Sequence, residues 1–158
     1  MAYGTIGTLI HGTMRNEDLL TAFADELERL AALDKAEAES SGAAWEGTHT
    51  FRMETIAAAR SVDPESDDAS EIINDLFDAL NELAAPYCYF GAHAGDGSDY
   101  GFWPDVESLE ADAQEGDFVV KVDAGSERPD GFDYVMEVND HGNVTLYGRD
   151  GREIWSVV

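Results

Sequence analysis

Leu19, Leu20, Phe23, Leu27, Leu30 and Ala31 recur three and four residues apart, a spacing that predicts an amphipathic helix with one buried face. Asn16 is placed to cap its start, and Glu17 and Asp18 suit the positive end of the helix dipole. A second face of this kind is written by Ile72, Ile73, Leu76, Phe77, Leu80 and Leu83, predicting a helix from about Ala69 to Ala85. Asp68, with Glu71 three positions later, has the spacing of a capping box for it. Pro86 ends that helix. Alternation replaces the helical period elsewhere. "AYGTIGTLI" predicts a strand closing at the turn "HGT", and "YCYF" and "DYGFW" predict two more across the Gly-rich loop "GAHAGDGS". "PDVESLEADAQEG" reads as a short acidic helix after Pro104. The runs "DFVVKV", "DYVMEV", "NVTLYG" and "EIWSVV" then predict a meander of antiparallel strands, separated by "DAGSERPDGF", "NDHG" and "RDG".

Two segments carry a weaker pattern. Residues 34–47 shift to Ala, Glu, Ser and Gly and are expected to form a loop or frayed extension anchored by Trp45. "THTFRMETIAAARS" fits neither period cleanly and is taken as helix, with the polar "SVDPESDD" as a connection. With no internal repeat and no linker, residues 1–158 are expected to form one α+β domain: a mostly antiparallel sheet with a C-terminal β-meander, and two main amphipathic helices packed on one face. The chain has 158 residues, 44% of them hydrophobic, enough to bury a sizeable core. No apolar run approaches the roughly 20 residues that cross a bilayer, and "MAYGTIGTLIHGTMR" lacks the features of a secretory signal, so a cytoplasmic location is expected. Cys88 is the single cysteine; it has no internal disulfide partner and is expected to be a buried, inert thiol.

Charge changes the picture. There are 34 Asp and Glu against 9 Lys and Arg, a formal net charge of −25. Direct binding to nucleic acid or to an anionic membrane is disfavoured by repulsion. The deficit is uneven: between Arg60 and Lys121 no Lys or Arg occurs, while that window holds sixteen carboxylates. Within it Glu71, Asp75, Asp78 and Glu82 follow an i, i+4, i+7, i+11 progression opposite the apolar face, one acidic stripe along about three helical turns. Asp63, Glu65, Asp67 and Asp68 extend it at the N-terminal end.

Catalytic chemistry is harder to find. His93, Asp96 and Asp99 in "HAGDGSDYGFW" could converge on a cation and serve a metal-dependent hydrolase, but they lack the order and the closing Glu of an EF-hand loop, and turn formation explains the Asp and Gly residues. His11 could act with Arg15 on an anionic substrate, yet no nucleophile accompanies them. "GTIGTLIHG" matches neither phosphate-loop pattern, and four scattered histidines with one cysteine do not make a zinc site. A protein without catalytic residues, metal or other cofactor is therefore expected.

Two explanations of the acidity remain. Duplex DNA carries about one charge per 1.7 Å of axis, so the net charge matches that of about 40 Å of duplex, a binding-site length. A rigid fold displaying carboxylates could thus occupy the cationic groove of a nucleic-acid-binding protein. Alternatively, dense carboxylates keep a halophile-adapted globular protein soluble in a high-salt cytoplasm. "HGTMRNEDLLTAFADELERL" together with "YFGAHAGDGSDYGFWP" resembles a group of small, uncharacterised acidic proteins of phages and mobile elements, which share an HGT-R turn before a helix and a YFG-H-GDG-DYG-W loop. The resemblance implies a mobile-element setting, where acidic inhibitors of host-defence nucleases of the anti-CRISPR and antirestriction DNA-mimic type are a known class. The leading expectation is such an inhibitor, with Asp63, Glu65, Asp67, Asp68, Glu71, Asp75, Asp78 and Glu82 contacting a basic nucleic-acid-binding protein or complex.

Overall fold

A computed structural model describes residues 1–158. The elements run β1 (Gly7–His11), α1 (Asn16–Ser41), α2 (Glu46–Ser61), α3 (Asp67–Asn81), β2 (Cys88–His93), β3 (Asp96–Pro104), α4 (Val106–Glu115), β4 (Val119–Asp123), β5 (Tyr134–Val138), β6 (Val144–Gly148) and β7 (Glu153–Val157). This is an α+β fold of mostly antiparallel strands that ends in a meander-like sheet, as the pattern predicts. The strands form two sheets where one is expected, in the order β1-β3-β2 and β4-β5-β6-β7, and the chain divides into two compact units.

The first unit comprises Met1–Ala84 and Tyr89–Trp103. Here α1, α2 and α3 pack on one another, and the apolar stripes of α1 and α3 supply most of the core with Phe90, Tyr100 and Phe102. Phe23 sits at its centre with no exposed surface. Its ring meets Phe77, Phe90 and Tyr100 edge-on, at centroid distances of 5.0, 5.1 and 5.6 Å, the geometry aromatic quadrupoles favour. The close approach of β1 to β3 depends on Gly101, where a β-carbon would lie 2.0 Å from the Gly7 carbonyl oxygen.

Three local expectations about these helices are corrected. Arg15, not Asn16, precedes α1, and the Asn16 amide instead donates to the Pro64 carbonyl at 3.0 Å, pinning the α2–α3 connection. Asp68 lies inside the first turn of α3 rather than capping it; Ser66 is the residue before the helix and makes no side-chain cap bond. Residues 34–41 are helix rather than loop, because "DKAEAE" is rich in strong helix formers and Lys35 and Glu39 form an i, i+4 pair. The end comes at Gly42, whose φ of 73° is the left-handed conformation that closes helices, with the Ala43 amide returning to the Ala38 carbonyl. "THTFRMETIAAARS" is helical, and its buried positions are Arg52, Thr55, Ile56 and Ala59, a face half polar and therefore hard to read by hydrophobic period.

The second unit comprises Ala85–Cys88 and Pro104–Val158. Asp105 caps α4 by accepting from the Ser108 amide at 3.1 Å, and Leu109, Val119, Met136, Leu146 and Trp155 are buried. The Trp155 indole donates to the Pro86 carbonyl at 2.8 Å. One strand pairing departs from the expected meander: β4 and β5 are parallel, with Val119 opposite Tyr134 and Asp123 opposite Val138. The connection through "DAGSERPDGF" is long enough to carry the chain back to the same end of the sheet, which a tight hairpin turn cannot do.

Candidate partner-binding surface

α3 forms where it does because Ala69, Ile73, Leu76, Ala79 and Leu80 fall on one side and are buried. Burying Ile73, Leu76 and Leu80 alone stabilises the helix in place by about 1.5–3 kcal/mol each. The opposite side carries Glu71, Asp75 and Asp78, all exposed, and Glu82 continues the line from the position just past the helix, where the backbone remains right-handed at φ −62° and ψ −24°. Like charges at these spacings cost a few tenths of a kcal/mol per pair, so packing outweighs repulsion and the acidic row is held on a firm support. From Glu71 to Glu82 the row spans about 16 Å at 1.5 Å per residue, a mean of about 5.5 Å per charge. A single DNA strand presents a phosphate every ~3.4 Å of axis, so the row has about 60% of that line density.

The N-terminal end adds more. Asp63, Glu65, Asp67 and Asp68 are exposed as well, and Asp67 and Asp68 stand in the first turn where the helix dipole favours anions. Asp63 accepts from the Glu65 amide at 3.0 Å, which fixes the turn leading into α3.

Counter-ions decide what this surface can do. All nine Lys and Arg side chains stand within 4.0 Å of a carboxylate, and none of those carboxylates is among the eight between Asp63 and Glu82. Arg60, the nearest in sequence, reaches from α2 to α1, at 3.2 Å from Asp25 and 2.7 Å from Glu28. Its hydrogen bond and charge hold the Glu28 carboxyl below the ordinary carboxylate range. α3 takes part in no ion pair. The stripe is an exposed anionic row that the protein does not itself neutralise.

The other sequence candidates are engaged in local contacts. His93 packs edge-on against Trp103 at 4.7 Å, and its Nδ1 accepts from the Gly95 amide in the β2–β3 turn. Asp96 accepts from the Ser98 amide and hydroxyl, which hold its carboxyl below the ordinary range, and lies 3.4 Å from His11. Asp99 stands opposite His11 in the β1–β3 register. No group of three or more His, Cys, Asp or Glu is placed to hold a metal ion. Arg15 binds Glu17 at 3.1 Å, whereas His11 meets Asp96. Most of the expected Gly-rich loop is strand, with only Ala94 and Gly95 between β2 and β3. The Cys88 thiol is half-buried, and burial pushes its pKa up to about 12, so the reactive thiolate is scarce at neutral pH.

One polar cluster was not anticipated. Arg52, only 3% exposed, is clasped at 2.7 Å by Asp34 of α1, and His49 sits one turn before it on α2 with its ring edge-on to Trp45. The legible signal was an arginine at the i−4 position from Ile56, on the face that α2 has to bury. No family model, curated protein or solved structure matches this chain.

Proposed function

We propose that the protein is a non-catalytic, acidic inhibitor that occupies the cationic nucleic-acid groove of a DNA- or RNA-binding protein, a host-defence nuclease complex being the favoured class. The observation that carries this reading is the row of exposed carboxylates from Asp63 to Glu82, which lacks ion pairs while every Lys and Arg is engaged elsewhere. Such a row meets a groove lined with Lys and Arg as a phosphate strand does, and displaces the same condensed counter-ions. The resemblance to acidic proteins of phages and mobile elements points the same way.

A second reading is salt adaptation. It is favoured by the exposed carboxylates of the second unit, among them Glu107, Glu115, Asp117, Glu127 and Asp140, which are not confined to one element. Strong stabilisation by molar KCl, without any partner, would support it.

The test uses two baits in a lysate pull-down at low and high salt: the wild type, and a variant with Glu71, Asp75, Asp78 and Glu82 all replaced by Lys. Each captured protein is then assayed for binding to duplex DNA in the presence of the bait. The proposal expects capture by the wild type only, loss at high salt, and mutually exclusive binding with DNA. Equal capture by both baits, or a ternary complex with DNA, would sink it.

A further inference from the structure

Between the C-terminal half of α1 and the N-terminal half of α2 lies an open cavity of about 430 Å³, within the range of small-ligand sites. Its lining includes Ala31, Asp34, Ala38, Trp45, His49 and Arg52. Two polar atoms of that lining are buried and have no hydrogen-bond partner: Arg52 Nε and His49 Nδ1. Buried donors and acceptors are nearly always satisfied, and a guanidinium cannot escape by losing its proton, so an unpartnered Nε–H on a side chain this deeply buried calls for an acceptor.

The protein's own carboxylates do not provide it. Asp34 already accepts from Arg52 through one oxygen at 2.7 Å and from the Ala2 amide through the other at 3.2 Å. Glu37 is more than half exposed at the rim. Beside His49 stands Trp45, its ring centroid 5.7 Å from that of the imidazole and 4.4 Å from the Lys35 ammonium. The lining sets Arg52, Lys35, the Met1 ammonium and a histidine against the carboxylates of Asp34 and Glu37, around an indole and small apolar side chains.

We propose that the cavity binds a small organic carboxylate, its oxygens meeting Arg52 Nε–H and His49 Nδ1–H and its apolar body lying against Trp45, Ala31 and Ala38. His49 adopts the Nδ1-protonated form when the acceptor is present, because the ligand oxygen can only accept. This site is separate from the acidic row and does not depend on its function.

Benzoate is the probe, with benzyl alcohol as the uncharged control of similar size. Titration is followed by the ¹H–¹⁵N signals of Arg52 Nε–H and the Trp45 indole N–H. The proposal expects both signals to shift saturably with benzoate at concentrations up to about 10 mM, and binding to weaken by about tenfold or more with benzyl alcohol. His49→Phe, which keeps a ring against Trp45 but removes Nδ1, should weaken benzoate by about tenfold while leaving the remaining spectrum in place. Shifts that never saturate, equal response to the alcohol, or undiminished binding by His49→Phe would overturn the assignment and leave water as the partner of these two atoms.

Discussion

Replacing Asp78 by Lys should stabilise the protein, although it is a charge reversal on a helix. Asp78 lies three residues after Asp75 and four before Glu82, and all three are exposed without ion pairs. Each like-charge pair at these spacings costs about 0.2–0.5 kcal/mol and each opposite pair gains a similar amount, so reversing the sign swings the two pairs by about 1–2 kcal/mol together. The last turn of α3 contains no basic residue, and a cation there gains about 0.3–1 kcal/mol more from the helix dipole. The gain should be about 1–2 kcal/mol once the unfavourable Lys-before-Glu order towards Glu82 is allowed for. Urea is the denaturant of choice because it adds no ionic strength; with an m-value of about 1–3 kcal/mol per molar, the midpoint should rise by roughly half to one molar at low salt. At 1 M NaCl the screening length falls to about 3 Å and most of the gain should vanish. Asp78→Gln, which removes repulsion without adding attraction, should give about half of it. A midpoint for Asp78→Lys at or below that of the wild type at low salt, or a gain that survives 1 M salt undiminished, would refute the view of α3 as a self-repelling anionic row.

Two further outcomes can be checked on the same unit. Burial alone would raise the Asp34 carboxyl, but its hydrogen bonds to Arg52 and Ala2 and the charge of Arg52 outweigh burial and leave it below the ordinary carboxylate range. A folded-state pKa below the unfolded one contributes stability that is complete above the unfolded value and is lost as pH falls through the folded one. Asp34→Asn should therefore flatten the acid limb of a stability–pH profile below about pH 4, and should cost about 2–3 kcal/mol at pH 7 by leaving the buried Arg52 without its counter-ion. Gly101→Ala should destabilise by about 2 kcal/mol or more in urea unfolding, because its β-carbon would meet a backbone oxygen that cannot move aside; Gly97→Ala, with nothing within 4 Å, should change stability by less than about 0.5 kcal/mol.

The hydrophobic period located α1 and α3 because their buried positions are almost wholly apolar, so pattern and burial coincide. It faltered on α2, where Arg52 occupies a buried position and Phe51 is exposed, the reverse of what the period assumes. At residues 34–41, Ser and the coming Gly42 looked like loop, while the helix propensity of Ala, Glu and Lys and the tie from Asp34 to Arg52 prevailed. Strand positions in the C-terminal half followed from alternation, but the parallel β4–β5 pairing and the division into two sheets depend on which strands meet, and alternation within a strand carries no such information. The candidate surface was legible for the same reason as α3 itself, since a helical wheel puts Glu71, Asp75 and Asp78 opposite Leu76 and Leu80. Its lack of counter-ions was only half legible: a window without Lys or Arg excludes local pairing, but the commitment of Arg60 to Asp25 and Glu28, 35 and 32 positions upstream, is a tertiary fact.

The distribution of cations within the three-helix unit gives the acidic row its physical meaning. The ion pairs of Arg52 with Asp34 and of Arg60 with Asp25 and Glu28 fasten α2 to α1. α3 has no share in them and is held mainly by apolar packing through Ile73, Leu76, Phe77 and Leu80, with an uncharged hydrogen bond from the Phe90 amide to the Asn81 side chain. Salt then acts in opposite senses on the two attachments: screening weakens the exposed Arg60 pairs but relieves repulsion along α3, whose apolar packing is indifferent to it. A cationic partner would do for α3 what salt does, and would add direct pairing. The helix that most needs foreign positive charge is thus the one whose seat does not depend on electrostatics, so contact with a basic groove need not disturb the fold that presents the charge. An acidic row placed on α2 would have competed with Asp25, Glu28 and Asp34 for the arginines that dock the helix, and the partner would have been drawn into the same competition.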